Sequence, residues 1–225
     1  MNPTQMKKLD YGDTLRDARL YGILDMGYVQ EGDIIHAAGA LLSGGVDVLQ
    51  LRAKGYDGAG VLRLLQDKAP GLLSMCRAQM VPFIINDFPE VAFAVQADGV
   101  HIGQDDGDLN AVREVVGNEM LVGRSTHSPE QAVEALREGF DYIGFGPLFP
   151  TPTKKGRAGI GLANVPKLDD LIDPSFPVFC IGGIVPGNLE LVLASGARRV
   201  VIVSALLQAD DISSATRAVK KLLIS

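Results

Sequence analysis

The sequence predicts an α/β protein, a closed (β/α)8 TIM barrel, and three observations carry that reading. Short apolar runs rich in Val, Ile and Leu alternate with longer segments of helical period. Four helix-to-strand junctions resemble one another: SGGVDVLQL, QADGVHIGQ, EGFDYIGFG and SGARRVVIV. The unusual polar residues fall at the C-terminal ends of the strand runs, the face on which a barrel of this class builds its site.

Strands are expected at 20–25 (LYGILD), 47–52 (DVLQLR), 82–86 (PFIIN) and 98–102 (DGVHI), then at 120–124 (MLVGR), 141–145 (DYIGF), 177–182 (PVFCIG) and 199–203 (RVVIV). Each is too short for a helix, rich in branched side chains, and entered through a Gly, Pro or charged residue. Helices are expected near 32–43, 57–79, 88–96, 108–116, 128–139, 163–172, 187–195 and 210–223. Ser128-Pro129-Glu130 supplies a cap, a first-turn proline and an acid, and Asp210 plays the same part before the last helix. The repeated unit is too irregularly spaced for a solenoid. Eight such units in 225 residues fit a closed barrel better than an open doubly wound sheet. A dinucleotide fold needs GxGxxG after its first strand, and LYGILDMGYVQEG lacks it. No linker divides the chain, so 1–225 reads as one TIM-barrel domain with 1–18 as an N-terminal extension, a short cap over the barrel's N-terminal end.

Hydrophobic residues make up 47% and charged residues 21%, the balance of a globular protein. Apolar runs are far shorter than the ~20 residues of a membrane span, and the polar start lacks a signal-peptide core. Cys76 and Cys180 stand far apart in apolar contexts, as buried thiols in a reducing compartment do; a cytoplasmic location is expected. A formal charge of −6 without a basic stripe argues against nucleic acid as a partner. It leaves room for an anionic small molecule if the cations gather in one pocket.

They do gather. Asp25 ends the first strand; Gln50, Arg52 and Lys54 end the second; Asn86 and Asp87 end the third. His101, Gln104 and Asp106 belong to the fourth, Ser125 and His127 to the fifth, Thr151, Thr153 and Lys154 to the sixth, Gly182 and Gly183 to the seventh, and Ser204 to the eighth. Asp87 and Asp106 are hard oxygen donors on neighbouring loops, a pair suited to Mg2+ completed by water and phosphate. The other reading of each is a helix cap, Asp87 before Pro89 and Asp106 before residue 108. Arg52 and Lys54 alternate along a strand end and so share a face, with Lys154 joining from the sixth loop. Three cations and a divalent metal suit a pyrophosphate. Gly182-Gly183 and Val203-Ser204 lie where barrels hold a monophosphate on backbone N–H groups, the lesser alternative being Gly at a tight βα turn. His101 reads as a hydrogen-bonded positioning residue; His127 is either a site residue or a helix-start surface residue.

QLRAK (50–54), IND (85–87), ADGVHIGQDD (97–106), GRSTHS (123–128), GFGPLFPTPTKKG (144–156), CIGGI (180–184) and VSA (203–205) together resemble the thiamine-phosphate synthase (thiamine-phosphate pyrophosphorylase) family, in order over nearly the whole chain. The resemblance implies a transferase that joins a hydroxymethylpyrimidine diphosphate to a thiazole phosphate and releases pyrophosphate. It implies Gln50 through Lys54, Asn86 and Lys154 on the pyrimidine diphosphate, Ser125 on the pyrimidine side, and Asp87 and Asp106 on Mg2+; His101 is a further substrate-binding candidate. Thr151, Pro152, Thr153, Gly183, Val203 and Ser204 would hold the thiazole phosphate; Arg52, Lys54, Ser125 and Lys154 would act in catalysis. The implied chemistry is dissociative: the pyrimidine methylene loses pyrophosphate and the thiazole nitrogen captures the cation. The resemblance breaks at Phe88, where the family pattern has an arginine, and at LYGILD, where it commonly ends Thr-Asp. Two rivals stand beside it, a thiazole tautomerase on the same barrel and a non-catalytic phosphate-ligand sensor. Small-molecule partners are expected, with a homo-oligomer possible.

Overall fold

The computed structural model describes residues 11–151 and 158–224. Eight parallel strands close into one barrel in chain order: β1 (Leu20–Asp25), β2 (Val48–Arg52), β3 (Phe83–Asn86), β4 (Gly99–Ile102), β5 (Leu121–Thr126), β6 (Tyr142–Phe145), β7 (Val178–Cys180) and β8 (Val200–Ile202). Closure comes from β8 pairing with β1, with Leu20 opposite Val200. The strands are near-continuous apolar runs because both faces are buried, one against helices and one inside the barrel.

The inner face is a small, dense cluster of Tyr21, Ile23, Val48, Ile84, Tyr142, Phe179 and Val201. The ring of Phe179 meets Tyr21 edge-on at 5.1 Å between centroids and Tyr142 at 6.0 Å. Room for Tyr142 comes from Gly123 opposite it on β5, where a Cβ would lie 2.1 Å from the phenol ring. Beneath this layer sits Leu15, from α1 (Gly12–Asp17), so this part of the N-terminal segment plugs the end of the barrel where the strands begin.

The outer ring contains α2 (Ile34–Gly44), α3 (Gly58–Leu65), α4 (Ala69–Ala78), α5 (Pro89–Ala94), α6 (Leu109–Val116), α7 (Pro129–Glu138), α8 (Val165–Leu171), α9 (Leu189–Ala194), α10 (Ser204–Leu207) and α11 (Ile212–Ile224). The single helix expected over 57–79 is two. Pro70 lacks an N–H and crowds the preceding turn, so the chain restarts there with proline in the first turn of α4. The four-residue α10 was not expected; it is too short to show a period. Asp211, not Asp210, caps α11, its carboxylate accepting from Ser214 N at 3.0 Å.

The aspartate repeated at the junctions has a structural task at the barrel's N-terminal end. Asp47, before β2, accepts from Leu20 N of β1 at 2.9 Å; Asp98, before β4, accepts from Phe83 N of β3 at 3.0 Å; Asp141, before β6, accepts from Val122 N of β5 at 2.7 Å. The fourth junction places Arg199 at the equivalent position. Its guanidinium reverses the polarity, donating to the carbonyls of Pro174 and Phe176 ahead of β7 and to Arg16 O of α1 at 2.6 Å. Among the described residues, no helix is long and apolar enough to cross a membrane.

Candidate active site

A cavity of about 280 Å³ opens at the C-terminal ends of the strands, floored by Tyr21, Tyr142, Phe179 and Val201. Strand alternation aims Gln50, Arg52, Asn86, His101 and Ser125 into it. Gln50, 2% exposed, donates from Nε2 to the Tyr21 hydroxyl at 2.9 Å, and that hydroxyl lies 3.2 Å from the Tyr142 hydroxyl. Burial pushes both phenols above their ordinary pKa, so they remain neutral hydrogen-bonding groups. His101 Nε2 meets Ser125 Oγ at 3.0 Å, and the imidazole leans on the Tyr142 ring at 5.5 Å. His101 thus both lines the cavity and holds Ser125 by a hydrogen bond.

Arg52 and Lys54, expected on one face, diverge. The strand ends at Arg52, so alternation no longer governs Lys54. Arg52 points inward and pairs with the buried Asp25 at 2.5 Å, while the half-exposed Lys54 reaches across the mouth to the Asp87 carboxylate. Neither metal candidate is a helix cap. Phe88 stands at the cap position of α5 without a side-chain bond, and Asp108 caps α6, accepting from Ala111 N at 2.8 Å. Asp87 instead sits in the left-handed region at φ 67°, its N–H bonded to His101 O at 2.8 Å. That conformation is disfavoured for a residue with a Cβ, and the carboxylate meets Lys54 rather than the N-terminus of α5. Burial raises the Asp87 pKa; Lys54 opposes the rise and Asp106 adds to it. The two carboxylates are therefore close enough to repel, and a divalent cation between them would relieve that repulsion. Among the described residues no three His, Cys, Asp or Glu side chains cluster. The donor set is thus two hard oxygens, which fits Mg2+ with water and phosphate completing the shell and does not fit a zinc site.

The opposite side of the mouth is backbone. Gly182 (φ 100°) and Gly183 (φ 64°) follow β7, and a Cβ on them would lie 2.3 Å from Pro147 Cβ and 2.7 Å from Phe149 Cβ. Both are glycine because the loops after β6 and β7 touch here, tied by Leu148 N to Ile181 O at 2.8 Å and Phe149 N to Gly182 O at 3.0 Å. The packing account of these glycines therefore holds whether or not Gly183 also meets a ligand. Thr151, Gly183, Val203 and Ser204 line the cavity together, Ser204 opening α10. Pro152, Thr153 and Lys154 lie outside the described residues. His127 lines the cavity as well, with Nδ1 2.5 Å from Gly146 O.

Sequence reasoning gave no role to Asp25, Tyr21 or Tyr142. Tyr21 and Ile23 share the inward face of β1, so period-2 alternation carried back from the mouth would have found the first; the Arg52 partner of Asp25 needed the β1–β2 register, which sets the two residues side by side.

Residues 20–206 match the family model described as thiamine monophosphate synthase. A thiamine-phosphate synthase of Thermus thermophilus is 45% identical over 182 residues, covering 81% of this chain and 85% of the relative. One from Streptomyces avermitilis is 42% identical, covering 94% and 96%. Among solved structures, a thiamine phosphate pyrophosphorylase from Pyrococcus furiosus superposes with a TM-score of 0.81 at 29% identity, covering 96% of this chain and 98% of that one. These relatives carry the synthase name and lend no support to the tautomerase or sensor readings. The chain belongs to the thiamine monophosphate synthase family of transferases.

Proposed function

We propose that this chain condenses a hydroxymethylpyrimidine diphosphate with a thiazole phosphate to give thiamine phosphate and pyrophosphate. The observation that supports it best is the division of the cavity mouth. One side carries Arg52, Lys54 and the Asp87–Asp106 pair; the other carries Thr151, Gly183, Val203 and Ser204 around backbone N–H groups. Two phosphate-bearing substrates can then meet over one apolar floor.

In this reading Gln50 and Asn86 orient the pyrimidine, and the Tyr21 hydroxyl holds the Gln50 amide in place. Arg52 and Lys54 face the diphosphate and stabilise the charge that develops on the departing pyrophosphate, with Lys154 a third cation on it. Mg2+ held by Asp87 and Asp106 would supply further positive charge at that leaving group. Ser125, oriented by His101, lies beside the methylene that loses pyrophosphate. Thr151, Pro152, Thr153, Gly183, Val203 and Ser204 hold the thiazole phosphate so that the ring nitrogen approaches the cation. No protein nucleophile is needed, because the thiazole nitrogen held on the opposite side captures the cation. The buried thiols Cys76 and Cys180 suit a cytoplasmic enzyme.

The test is pyrophosphate release on mixing protein with both substrates, with Mg2+ and then with EDTA. Metal-dependent release accompanied by thiamine phosphate is expected. Binding of thiazole phosphate with no product formed under any metal condition would defeat the proposal.

A further inference from the structure

We infer that Arg124 is a positioning residue for the divalent cation, acting through the loop that carries Asp106. The inference rests on the metal reading above and concerns a side chain outside the cavity. Ser125 faces inward, so its neighbour Arg124 projects outward from β5 toward the loop that follows β4. There its guanidinium donates from Nη1 to Gly107 O at 2.6 Å and from Nη2 to Gln104 O at 3.3 Å, one carbonyl on either side of Asp106. The back of the guanidinium covers the Phe140 ring at 5.3 Å. The loop answers in kind, Gln104 Nε2 donating to Ser125 O at 2.5 Å.

Gly103–Gly107 has glycine at both ends and, among the described residues, no regular secondary structure, so its conformational entropy is high. Within it the Asp106 carboxylate is held by Gly103 N at 2.7 Å, a bond internal to the loop that cannot fix the loop relative to Asp87. Arg124 and Gln104 supply that outside reference by tying the loop to β5. A planar fork spanning two carbonyls does this in a way a lysine cannot, since an ammonium on a flexible stem reaches one carbonyl at a time. The separation of Asp106 from Asp87, and with it cation affinity, therefore depends on Arg124.

The experiment is titration of substrate-free protein with Mn2+, read from the electron paramagnetic resonance signal of the free ion, for the unsubstituted chain, Arg124→Met, Arg124→Lys and Asp106→Asn. Loss of an outer-shell support commonly weakens metal binding about 10–100-fold. Arg124→Met is expected to weaken Mn2+ binding about tenfold, the low end of that range, with Arg124→Lys in between and the midpoint of Mg2+ activation moving in parallel. Thermal unfolding without metal separates this from damage to the fold, because a purely structural role lowers the melting temperature and leaves Mn2+ affinity alone. If Arg124→Met, or Arg124→Lys should the former not fold, binds Mn2+ as the unsubstituted chain does, the inference is overturned. Absence of Mn2+ binding in the unsubstituted chain both without and with inorganic pyrophosphate to complete the shell, or binding that survives Asp106→Asn, removes the metal reading itself and this inference with it.

Discussion

Asp25→Asn tests whether the buried ion pair beneath the mouth holds Arg52 in place. Asp25 is 2% exposed and Arg52 9%, with 2.5 Å between Nη1 and Oδ2. The amide is nearly isosteric and can still accept from Gly27 N, which now bonds Oδ1 at 2.8 Å, so the change removes charge and little else. With charge centres about 4 Å apart and an effective dielectric near 20, the lost attraction is about 4 kcal/mol. Breaking a buried pair from one side costs about 3–5 kcal/mol, in agreement. A loss of about 3 kcal/mol is a large share of the roughly 5–15 kcal/mol that holds a domain together. For a chain of this size it lowers the melting temperature by roughly 6–12 °C. Inorganic pyrophosphate would give the guanidinium another anion, so it should raise the melting temperature of the variant more than that of the unsubstituted chain. Turnover should fall with KM for the pyrimidine diphosphate raised and KM for the thiazole phosphate little changed. Differential scanning fluorimetry with and without pyrophosphate, followed by steady-state kinetics, decides it. A variant within about 0.5 kcal/mol of the parent and with the same KM, the range of an ordinary surface change, would show that Arg52 keeps its place without Asp25.

Gly123→Ala sets a methyl 2.1 Å from the Tyr142 ring and should destabilise by about 2 kcal/mol in urea unfolding, the usual range for overpacking a core. Gly183→Ala adds a Cβ 2.7 Å from Phe149 Cβ at a positive φ; it should raise KM for the thiazole phosphate much more than KM for the diphosphate, measured by varying each substrate in turn. Burial pushes the Cys76 and Cys180 thiols up to about 12, so neither should react with iodoacetamide at pH 8 in the folded protein, and both should react once it is unfolded, as counted by mass spectrometry. The same shift fixes the alkaline limb of stability. As pH rises from about 9 the unfolded thiols lose protons that the folded ones keep, so this contribution is complete below about 9 and falls away toward about 12, which denaturant melts across that window will register.

The barrel was legible because its strands are buried on both faces and cannot hide their apolar runs: LYGILD was expected over 20–25 and β1 is Leu20–Asp25. Three-residue strands blur, so 177–182 shrinks to Val178–Cys180. What a residue's own period cannot give is its neighbour's register. Period 2 puts Arg52 inward, but only the β1–β2 pairing sets it beside Asp25, and nothing in GRSTHS says that the outward Arg124 reaches carbonyls in another loop. The aspartates make the same point. SGGVDVLQL, QADGVHIGQ and EGFDYIGFG were visible as a repeat, yet their use appears only in three dimensions. Carboxylates that precede a strand, Asp47, Asp98 and Asp141, each accept a backbone N–H of the strand before and also pair with a cation from a surrounding helix, Lys220, Arg77 and Arg113; those at the mouth, Asp25 and Asp87, pair with Arg52 and Lys54 from the end of β2. The barrel's polarity decides which backbone group each carboxylate can use. At the N-terminal ends the sheet leaves N–H groups to be satisfied, and a carboxylate there is committed to structure. At the C-terminal ends the exposed backbone groups are carbonyls, which repel a carboxylate and attract cations. An aspartate at the mouth finds loop N–H groups instead, Gly27 N for Asp25 and Gly103 N for Asp106, and its other oxygen meets a cationic side chain or, in the reading proposed here, the metal.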